Sequence, residues 1–523
     1  MSLQSKSGEF KPADSPFVGL FEQNRSPSLD ERKTILGLVA EKTAHLAQLN
    51  SQVPKRRPGK KHKIPRELRV QLAETRRWLE FHRALISPWR QLPTEILSEI
   101  FLFTLNYRGD FDADEPWNDD RAGTLRLCRI CAAWRVIALR TPALWNTLSV
   151  RLLDPQGPLE WVSIWLARSR SIPVYLQLLW DSEALPEDIN SVMSVFASHL
   201  HHTAELAIDG LYFCGESTGE EYPKLTFRPS VESLNAPFLS AVNVHLPEGS
   251  EWDWINAACR ASPCLTHLTT SHSSLDLFPV ANLTELNWSR WAPTPMSQVF
   301  QVLEDAPNLR HIDINVAGPV VASSAQSRLT MKSIAKLQIA SYEHLGEFLE
   351  QVEFPSVVNL CISFADEWPG PPFHSFLSRS SCALSVLVFR ECGISPAEIV
   401  ACLRHSACNM LEQLSVQDCE PEDGDVLLQH LTYQGPEHSP CSNPNLRTIL
   451  LFGIRCTDGL LSTMVESRCS TTFPSGPPGP AQLTMFWFSF VDMDTESSTH
   501  PIDWKRLREL KKMKGPGLNI GWL

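Results

Sequence analysis

The chain of 523 residues contains no run of about eighteen or more apolar residues, the length that a membrane-spanning helix needs. Its first residues, Met1 to Lys6, have no apolar core, so the sequence predicts no signal peptide. The formal net charge is −12 at pH 7, which argues against a protein whose main partner is nucleic acid. We therefore expect a protein without a membrane partner, located in the cytoplasm, the nucleus or both.

Motifs for cofactor and metal chemistry are also missing. The sequence has no glycine-rich phosphate loop and no His-Glu-x-x-His pattern, so it predicts no cofactor, no metal site and no catalytic residue. Gly215-Glu216-Ser217-Thr218-Gly219 matches the short pattern of serine hydrolases. That mechanism needs a helix directly after the serine, whereas Gly219 and Pro223 follow here, so we interpret the segment as a loop.

The chain has 14 cysteines, spread along its length. Because no secretion signal is evident, we expect buried thiols rather than disulfides. Cys128 and Cys131 lack the second pair that a zinc site would need, so they are predicted to pack within a helix. The cluster of His199, His201 and His202 is interpreted as a helix end with partly solvated histidines, not as a metal site.

Three apolar segments follow one another in the region from Leu92 to Trp145. They are Leu92-Pro93-Thr94-Glu95-Ile96-Leu97-Ser98-Glu99-Ile100-Phe101, Leu127-Cys128-Arg129-Ile130-Cys131-Ala132-Ala133-Trp134 and Thr141-Pro142-Ala143-Leu144-Trp145. The spacing of apolar residues predicts a helix in each of the first two, and Thr141-Pro142 predicts the N-cap and first turn of a third. Three short helices cannot bury all of their apolar surface, so we expect an apolar face that a partner covers.

The order and spacing of these segments resemble an F-box, the helical module that docks a substrate receptor onto the Skp adaptor of a cullin–RING ubiquitin ligase. The resemblance implies a three-helix module over residues 91–148 that contacts the adaptor. The implied contact residues are Leu92, Pro93, Ile96, Leu97, Ile100, Leu127, Ile130, Cys131, Trp134, Pro142 and Trp145. An acidic insertion from Asn106 to Thr124 is similar to those of the large basidiomycete-type fungal F-box families. The alternative is a plain helical subdomain packed on the rest of the chain.

The N-terminal part is predicted to hold a helical hairpin. Residues 1–27 show little periodicity and are expected to be disordered. Residues 28–90 open with the capping-box pattern Ser28-x-x-Glu31 and give two helical patterns, hence a hairpin or coiled coil. The linker 54–66 between them is basic and is either a nuclear-import signal, a nucleic-acid patch or a solvated turn. The possible import residues are Lys55, Arg56, Arg57, Lys60, Lys61 and Lys63.

Leucine-rich segments recur through the rest of the chain, 18 to 35 residues apart. They begin at Leu265, Leu283, Leu309, Ile334, Val357, Leu384, Leu411 and Leu446. Each predicts a short strand with alternate apolar residues, and helical patterns lie between several of them. The predicted fold class is α/β, with the hairpin and F-box followed by an irregular leucine-rich-repeat solenoid with a parallel sheet over residues 149–523. Residues 149–230 would form divergent capping repeats, and an ordinary α/β domain with coincidental spacing is the alternative.

The residues between the buried leucines of each repeat are predicted to face a target. The candidates for target binding are Arg310, Asp313, Arg390, Gln417 and Arg447. Because the set is polar and rich in arginine, we expect a polar protein surface or an acidic or phosphorylated segment. The alternative is that these residues are only solvated and that a target binds a loop.

The resemblance implies a substrate-recognition subunit that is not itself an enzyme. Its partners would be a Skp-type adaptor, through it a cullin, and an unknown target protein. The rival hypothesis is a scaffold outside ubiquitination, which would oligomerise through the helical hairpin and bind partners through the repeats.

Overall fold

The computed structural model describes residues 15–22, 26–53, 65–105, 121–152, 159–210, 222–229, 234–288, 293–319, 328–419, 424–435, 442–469, 480–490, 500–514 and 517–522. The chain divides into two compact units. They are Met1–Ser149 with Pro158–Tyr175, and Val150–Gly157 with Leu176–Leu523. Within the described ranges, no helix combines the length and the apolar composition needed to cross a membrane.

The first unit is helical. Its helices are α1 (Val18–Glu22), α2 (Leu29–Ser51), α3 (Arg66–Leu85), α4 (Thr94–Leu105), α5 (Arg121–Ile130), α6 (Ala132–Arg140) and α7 (Glu160–Ser169), with 3-10 turns at Pro88–Gln91 and Pro142–Trp145. The predicted capping box is confirmed, since Ser28 Oγ accepts from Glu31 N at 3.2 Å and Ser28 N donates to Glu31 Oε2 at 2.7 Å. Helices α2 and α3 pack together through a core that includes Ile35 and Leu79.

The prediction of disorder through residue 27 is wrong for residues 15–22. Helix α1 buries Leu20 in the same core as Ile35 and Leu79. His82 donates from Nδ1 to Trp78 O at 2.8 Å, which leaves Nε2 to accept from Ser15 Oγ at 2.9 Å. Helix α1 is too short for its apolar residues to show a helical period. Its order comes from packing on α2 and α3.

The second unit alternates strands and helices. Its strands are β1 (Thr147–Leu152), β2 (Val174–Trp180), β3 (Thr203–Asp209), β4 (Ala241–His245), β5 (His267–Thr270), β6 (Glu285–Trp288), β7 (Thr294–Pro295), β8 (His311–Ala317), β9 (Leu329–Thr330), β10 (Lys336–Ala340), β11 (Val352–Glu353), β12 (Asn359–Ser363), β13 (Val386–Arg390), β14 (Gln413–Gln417), β15 (Thr448–Ile454), β16 (Met485–Phe490) and β17 (Asn519–Trp522), of which β1 and β2 begin in the first unit. Its helices are α8 (Pro186–Ser198), α9 (Asp253–Arg260), α10 (Met296–Asp305), α11 (Leu345–Gln351), α12 (Gly370–Ser380), α13 (Pro396–Leu403), α14 (Asp425–Leu431), α15 (Leu460–Cys469) and α16 (Pro501–Lys514).

One large sheet takes its strands in chain order. The order is β1-β2-β3-β4-β5-β6-β8-β10-β12-β13-β14-β15-β16-β17, with β7 paired to β8. The pairs from β3 to β17 are parallel. The predicted mixed α/β fold with a parallel sheet is therefore confirmed. Strands β1, β4, β16 and β17 were not predicted, although Leu239-Val242-Val244 before and in β4 and Leu483-Phe486-Phe488 before and in β16 have the same apolar spacing as the predicted repeats.

A single line of apolar residues crosses this sheet in register. It consists of Leu206, Val242, Leu268, Leu286, Ile312, Leu337, Leu360, Leu387, Leu414, Ile449, Phe486 and Ile520, each 2% exposed or less. We call this set the apolar line. Complete burial of such a side chain contributes about 1.5–3 kcal/mol, so the line accounts for much of the cohesion between strands.

The chain leaves three successive strands through the same turn. Phe364, Glu391 and Asp418 directly follow β12, β13 and β14 and have φ of 57°, 50° and 49°. The amide of Glu391 donates to Gln417 O at 2.8 Å, so the ladder continues one residue past the strand. Each of these three connections therefore begins with a left-handed residue at an equivalent position.

Candidate functional site

Helices α4 to α6 and the turn that follows them are joined by specific contacts. Ser98 Oγ on α4 lies 3.0 Å from Thr141 Oγ1, which also donates to Ile137 O at 2.8 Å. The rings of Phe101 and Trp134 pack with centroids 4.7 Å apart. These contacts hold the three helices at fixed angles, so they also fix whatever surface the helices present.

Cys131 ends one helix and starts the next, which corrects the prediction of a single continuous helix. Its backbone is extended, with φ −159° and ψ 168°, between α5 and α6. Its Sγ accepts from Trp134 N at 3.4 Å, so the thiol caps α6. Cys128 lies three residues earlier, in α5, where burial raises the pKa of its thiol.

The structure divides the eleven implied adaptor-contact residues by burial. Leu97, Leu127 and Trp145 are 8%, 8% and 0% exposed, and Trp145 Nε1 donates to Ala138 O at 2.8 Å. These three side chains hold the module together and have little surface to offer a partner. Leu92, Ile100, Cys131, Trp134 and Pro142 are half-buried, whereas Pro93, Ile96 and Ile130 are exposed.

Several large apolar side chains of these helices remain exposed. They are Ile96 (47%) and Phe103 (87%) on α4, Leu125 (40%) and Ile130 (58%) on α5, and Val136 (46%) and Leu139 (37%) on α6. Phe103, Leu125, Val136 and Leu139 were not among the contact residues predicted from the sequence. Their apolar spacing was visible, but only packing shows which side of a short helix stays uncovered.

Basic residues accompany the exposed apolar residues on α5 and α6. Arg126, Arg129, Arg135 and Arg140 are exposed, and neither helix contains an acidic residue. Arg135 Nε donates to Cys128 O at 2.7 Å, which fixes its stem across the junction of the two helices. This surface is therefore locally positive in a chain whose net charge is −12.

In the second unit, alternate strand residues form an open face of the sheet. One line along this face holds Asn243, Thr269, Asn287, Asp313, Gln338, Cys361, Val388, Ser415, Leu450 and Trp487 in register. All are half-buried except Ser415, which is buried. Its first five residues are polar and most of the rest are apolar. The apolar half of this line arises because β13, β15 and β16 carry apolar residues on both faces.

The structure does not gather the predicted target-binding residues. Arg390 Nε donates to Gln417 Oε1 at 3.1 Å, so these two form a pair at the ends of β13 and β14. Arg310 and Arg447 precede β8 and β15, at the opposite end of the strands. Those two strands are five steps apart in the sheet, or roughly 24 Å at about 4.8 Å a step. Asp313 lies mid-strand on β8.

A charged cluster at the start of three adjacent strands was missed. Glu285 Oε1 lies 3.0 Å from His311 Nδ1 and 3.5 Å from His267 Nε2, and all three side chains are nearly half exposed. The register of β5, β6 and β8 places these residues side by side. Each of the three residues lies in a different repeat. The sequence could have indicated the cluster, because each residue directly precedes the first apolar residue of its strand.

The histidine cluster is where the sequence predicted it, at the end of a helix. His202 Nδ1 lies 2.9 Å from His201 Nε2, and His202 is 4% exposed. Burial, with His201 and His199 nearby, lowers the pKa of His202 to about 4. His202 is therefore neutral at pH 7. The expectation of partly solvated histidines is confirmed for the half-buried His199 and the exposed His201, and it is wrong for His202.

A second cluster was not anticipated. Ligand-type atoms of Cys456, His500 and Asp503 lie within 4.8 Å of one another. The sequence separates Cys456 from His500 by the whole of α15 and β16, so no short motif joins them. The one usable signal was the spacing of His500 and Asp503, which lie one turn apart at the start of α16.

Some predictions concern residues outside the described ranges. They are the import residues Lys55, Arg56, Arg57, Lys60, Lys61 and Lys63, the segment Gly215 to Gly219, and most of the insertion from Asn106 to Thr124. Of the 14 cysteines, 12 lie in described ranges, and none of those forms a disulfide.

The comparisons with known proteins give no family assignment. No model of a known protein family matches the chain. No curated protein sequence matches it either.

Proposed function

We propose that the chain is the substrate-recognition subunit of a Skp–cullin–F-box ubiquitin ligase. Helices α4 to α6 would dock a Skp-type adaptor, and the second unit would bind a target protein. The observation that carries the proposal is the set of exposed apolar side chains on these helices, above all Ile96, Phe103 and Ile130. Isolated exposed apolar residues are ordinary, but several on one small rigid module are typical of an interaction site.

The charge of the module supports a particular kind of partner. The four exposed arginines of α5 and α6 surround Ile130, Val136 and Leu139 in the sequence, without an acidic residue on either helix. A partner with an apolar groove and an acidic rim would complement both features. Rim charges act mainly on the rate of association, whereas the apolar anchors supply affinity.

The second unit supports a binding role rather than catalysis. Its strands follow chain order, and its helices lie between them in sequence, as in an irregular leucine-rich-repeat solenoid. The open face offers a polar half (Asn243, Thr269, Asn287, Asp313 and Gln338) and an apolar half (Cys361, Val388, Leu450 and Trp487). A target that spans both halves would have one polar and one apolar end.

The rival hypothesis, oligomerisation through the helix pair, has less support. The apolar stripe of α2 and α3 is covered within the chain, because Leu20 of α1 packs on Ile35 and Leu79. A second chain would have to displace α1 to use that stripe.

The test is a pair of matched substitutions in the full chain. Ile96→Ser and Leu36→Ser remove apolar side chains that are 47% and 46% exposed, the first on α4 and the second on α2. We expect Ile96→Ser to weaken co-purification of a Skp-type adaptor by about ten-fold or more, as loss of an interface anchor does. Leu36→Ser should leave it unchanged. A triple variant, Ile96→Ser with Phe103→Ser and Ile130→Ser, should lose still more adaptor. The proposal is overturned if the Ile96→Ser variant and the triple variant both recover as much adaptor as the Leu36→Ser control.

A further inference from the structure

Three side chains with metal-binding atoms converge at the junction of β15, α15 and α16. Cys456 follows the end of β15, His500 directly precedes α16, and Asp503 lies in the first turn of α16. The Sγ, ring nitrogen and carboxylate oxygen all lie within 4.8 Å of one another. Cys456 is half-buried and forms no disulfide.

His500 gives the independent sign of a missing ligand. The residue is 8% exposed, and its buried Nδ1 has no hydrogen-bond partner among the described residues. Its nearest carboxylate oxygen, Asp503 Oδ2, is 3.6 Å away, which is too long for a hydrogen bond. The ring cannot easily turn elsewhere, because it stacks on Phe490 with centroids 3.8 Å apart and planes 1° apart. A buried nitrogen so placed normally has a partner, and a cation beside the carboxylate would supply one.

Asp503 is held in a fixed orientation for such a cation. The residue is fully buried, and its two oxygens accept from Gly459 N at 2.9 Å and Ser462 N at 2.7 Å. These donors begin α15, so Asp503 caps that helix. Asp458 returns the contact, accepting from Ile502 N and from Asp503 N at 3.0 Å at the start of α16. The N-termini of α15 and α16 are therefore capped reciprocally by Asp503 and Asp458, and the proposed ligand oxygen of Asp503 is held by these hydrogen bonds.

We propose that Cys456, His500 and Asp503 bind a zinc ion. A thiolate, an imidazole and a carboxylate together are a zinc donor set, whereas calcium and magnesium select oxygen ligands. Bonds of about 2.0–2.3 Å in a tetrahedron place ligand atoms roughly 3.3–3.8 Å apart, so closing the site needs a movement of about 1 Å by the half-buried Cys456. Water would fill the fourth position. The site goes beyond the proposed function, since neither adaptor nor target binding requires it.

The alternative is an ordinary ion pair of His500 with Asp503, beside a packed thiol. The two arrangements differ at Cys456, which is a ligand in one and a bystander in the other. Cobalt(II) alone is the probe, because a bound thiolate gives it a charge-transfer absorption that a histidine–carboxylate pair cannot give. Cys264 is the matched control, since it is an exposed thiol of the same unit and lies outside the cluster.

The experiment titrates Co²⁺ into the full chain after treatment with a chelator. We expect wild type and Cys264→Ser to develop the thiolate band with one equivalent and to lose it when Zn²⁺ is added. Cys456→Ser should weaken Co²⁺ binding more than about 100-fold, beyond the 10–100-fold typical of outer-shell changes. An identical band in Cys456→Ser, or no saturable band in wild type, would overturn the proposal.

A second measurement uses the wild type and does not depend on how Cys456→Ser folds. Zn²⁺ should slow alkylation of Cys456 at least ten-fold, read by mass spectrometry, and leave alkylation of Cys264 unchanged. Equal protection of both thiols, or of neither, would contradict a site at Cys456.

Discussion

The two units use the same kinds of apolar residue in opposite ways. In the second unit, Leu337 and Leu360 are 0% and 1% exposed, because the strands on either side and the layer beneath cover them. In the first unit, Ile96 and Ile130 are 47% and 58% exposed on short helices that have no such layer. An apolar residue stabilises the fold where neighbours enclose it, and under the proposed function it would bind a partner where they do not. Burial, more than hydrophobicity, separates the two roles.

The largest effect on stability is expected at Arg468 of the second unit. The residue is 2% exposed, and its guanidinium donates to Leu431 O, Asn443 O and Ser442 O at 2.6, 3.2 and 2.7 Å. Arg468→Met should lower the free energy of unfolding by about 4 kcal/mol, since buried carbonyls lose their donors. Urea unfolding measures this. The exposed Arg508 is the control, and a loss no larger for Arg468→Met than for Arg508→Met would contradict the prediction.

Alanine substitutions test the comparison directly. Leu360→Ala in the apolar line should cost about 3 kcal/mol, because it removes buried contacts and leaves a cavity. Ile96→Ala should change the free energy of unfolding by less than about 0.5 kcal/mol. Urea unfolding of the two variants measures both. If Ile96→Ala proves as destabilising as Leu360→Ala, the surface of α4 is part of a core and the contrast between the units fails.

Acid should weaken both units through buried histidines. Burial lowers the pKa of His82 in the first unit and lowers that of His202 in the second to about 4. In the unfolded chain these histidines bind protons near pH 6.5, whereas the folded chain keeps them neutral to lower pH. Their neutral form therefore contributes its full stabilisation above about pH 6.5, and this contribution is lost as pH falls towards 4. We expect His202→Gln to flatten the fall in melting temperature between pH 6.5 and 4 more than His45→Gln does, His45 being on the surface of α2. Identical pH profiles for the two variants would show that folding does not lower the pKa of His202.

The smallest predicted effect is a gain in stability. Glu391 has φ of 50°, a conformation that costs a residue with a Cβ roughly 1 kcal/mol. Glu391→Gly should therefore raise the free energy of unfolding by about 0.5–1 kcal/mol. Phe364→Gly, at the equivalent turn after β12, should gain less because it also removes the stacking of Phe364 on Tyr342. Urea unfolding at pH 7 tests the order, and a loss for Glu391→Gly would contradict it.

Sequence patterns predicted the features that depend only on residues close together in the chain. The alternation around Leu337 and Leu387 gave strands, and Ser28 with Glu31 gave a capping box. Helix α1 could not be predicted in the same way, because its five residues are ordered by packing on α2 and α3 rather than by their own periodicity.

The candidate sites depend on distant residues and were predicted less well. The break at Cys131 interrupts a helical pattern that continues unchanged through it, so periodicity pointed to one helix. Arg390 and Gln417 meet because two strands share a register, whereas Arg310 and Arg447 resemble them in sequence but lie at the other strand end. Cys456 and His500 are 44 residues apart in sequence and meet only where β15, α15 and α16 pack together.

The chain-order sheet also determines how this molecule can fold. Leu337 and Leu360 are neighbours in space and only 23 residues apart in sequence, and the same holds along most of the apolar line. Each strand can therefore join the sheet soon after it is synthesised, without waiting for a distant part of the chain. Growth can begin at any adjacent pair and proceed in both directions. Damage at one strand would then stall growth at that point while the strands on either side still assemble.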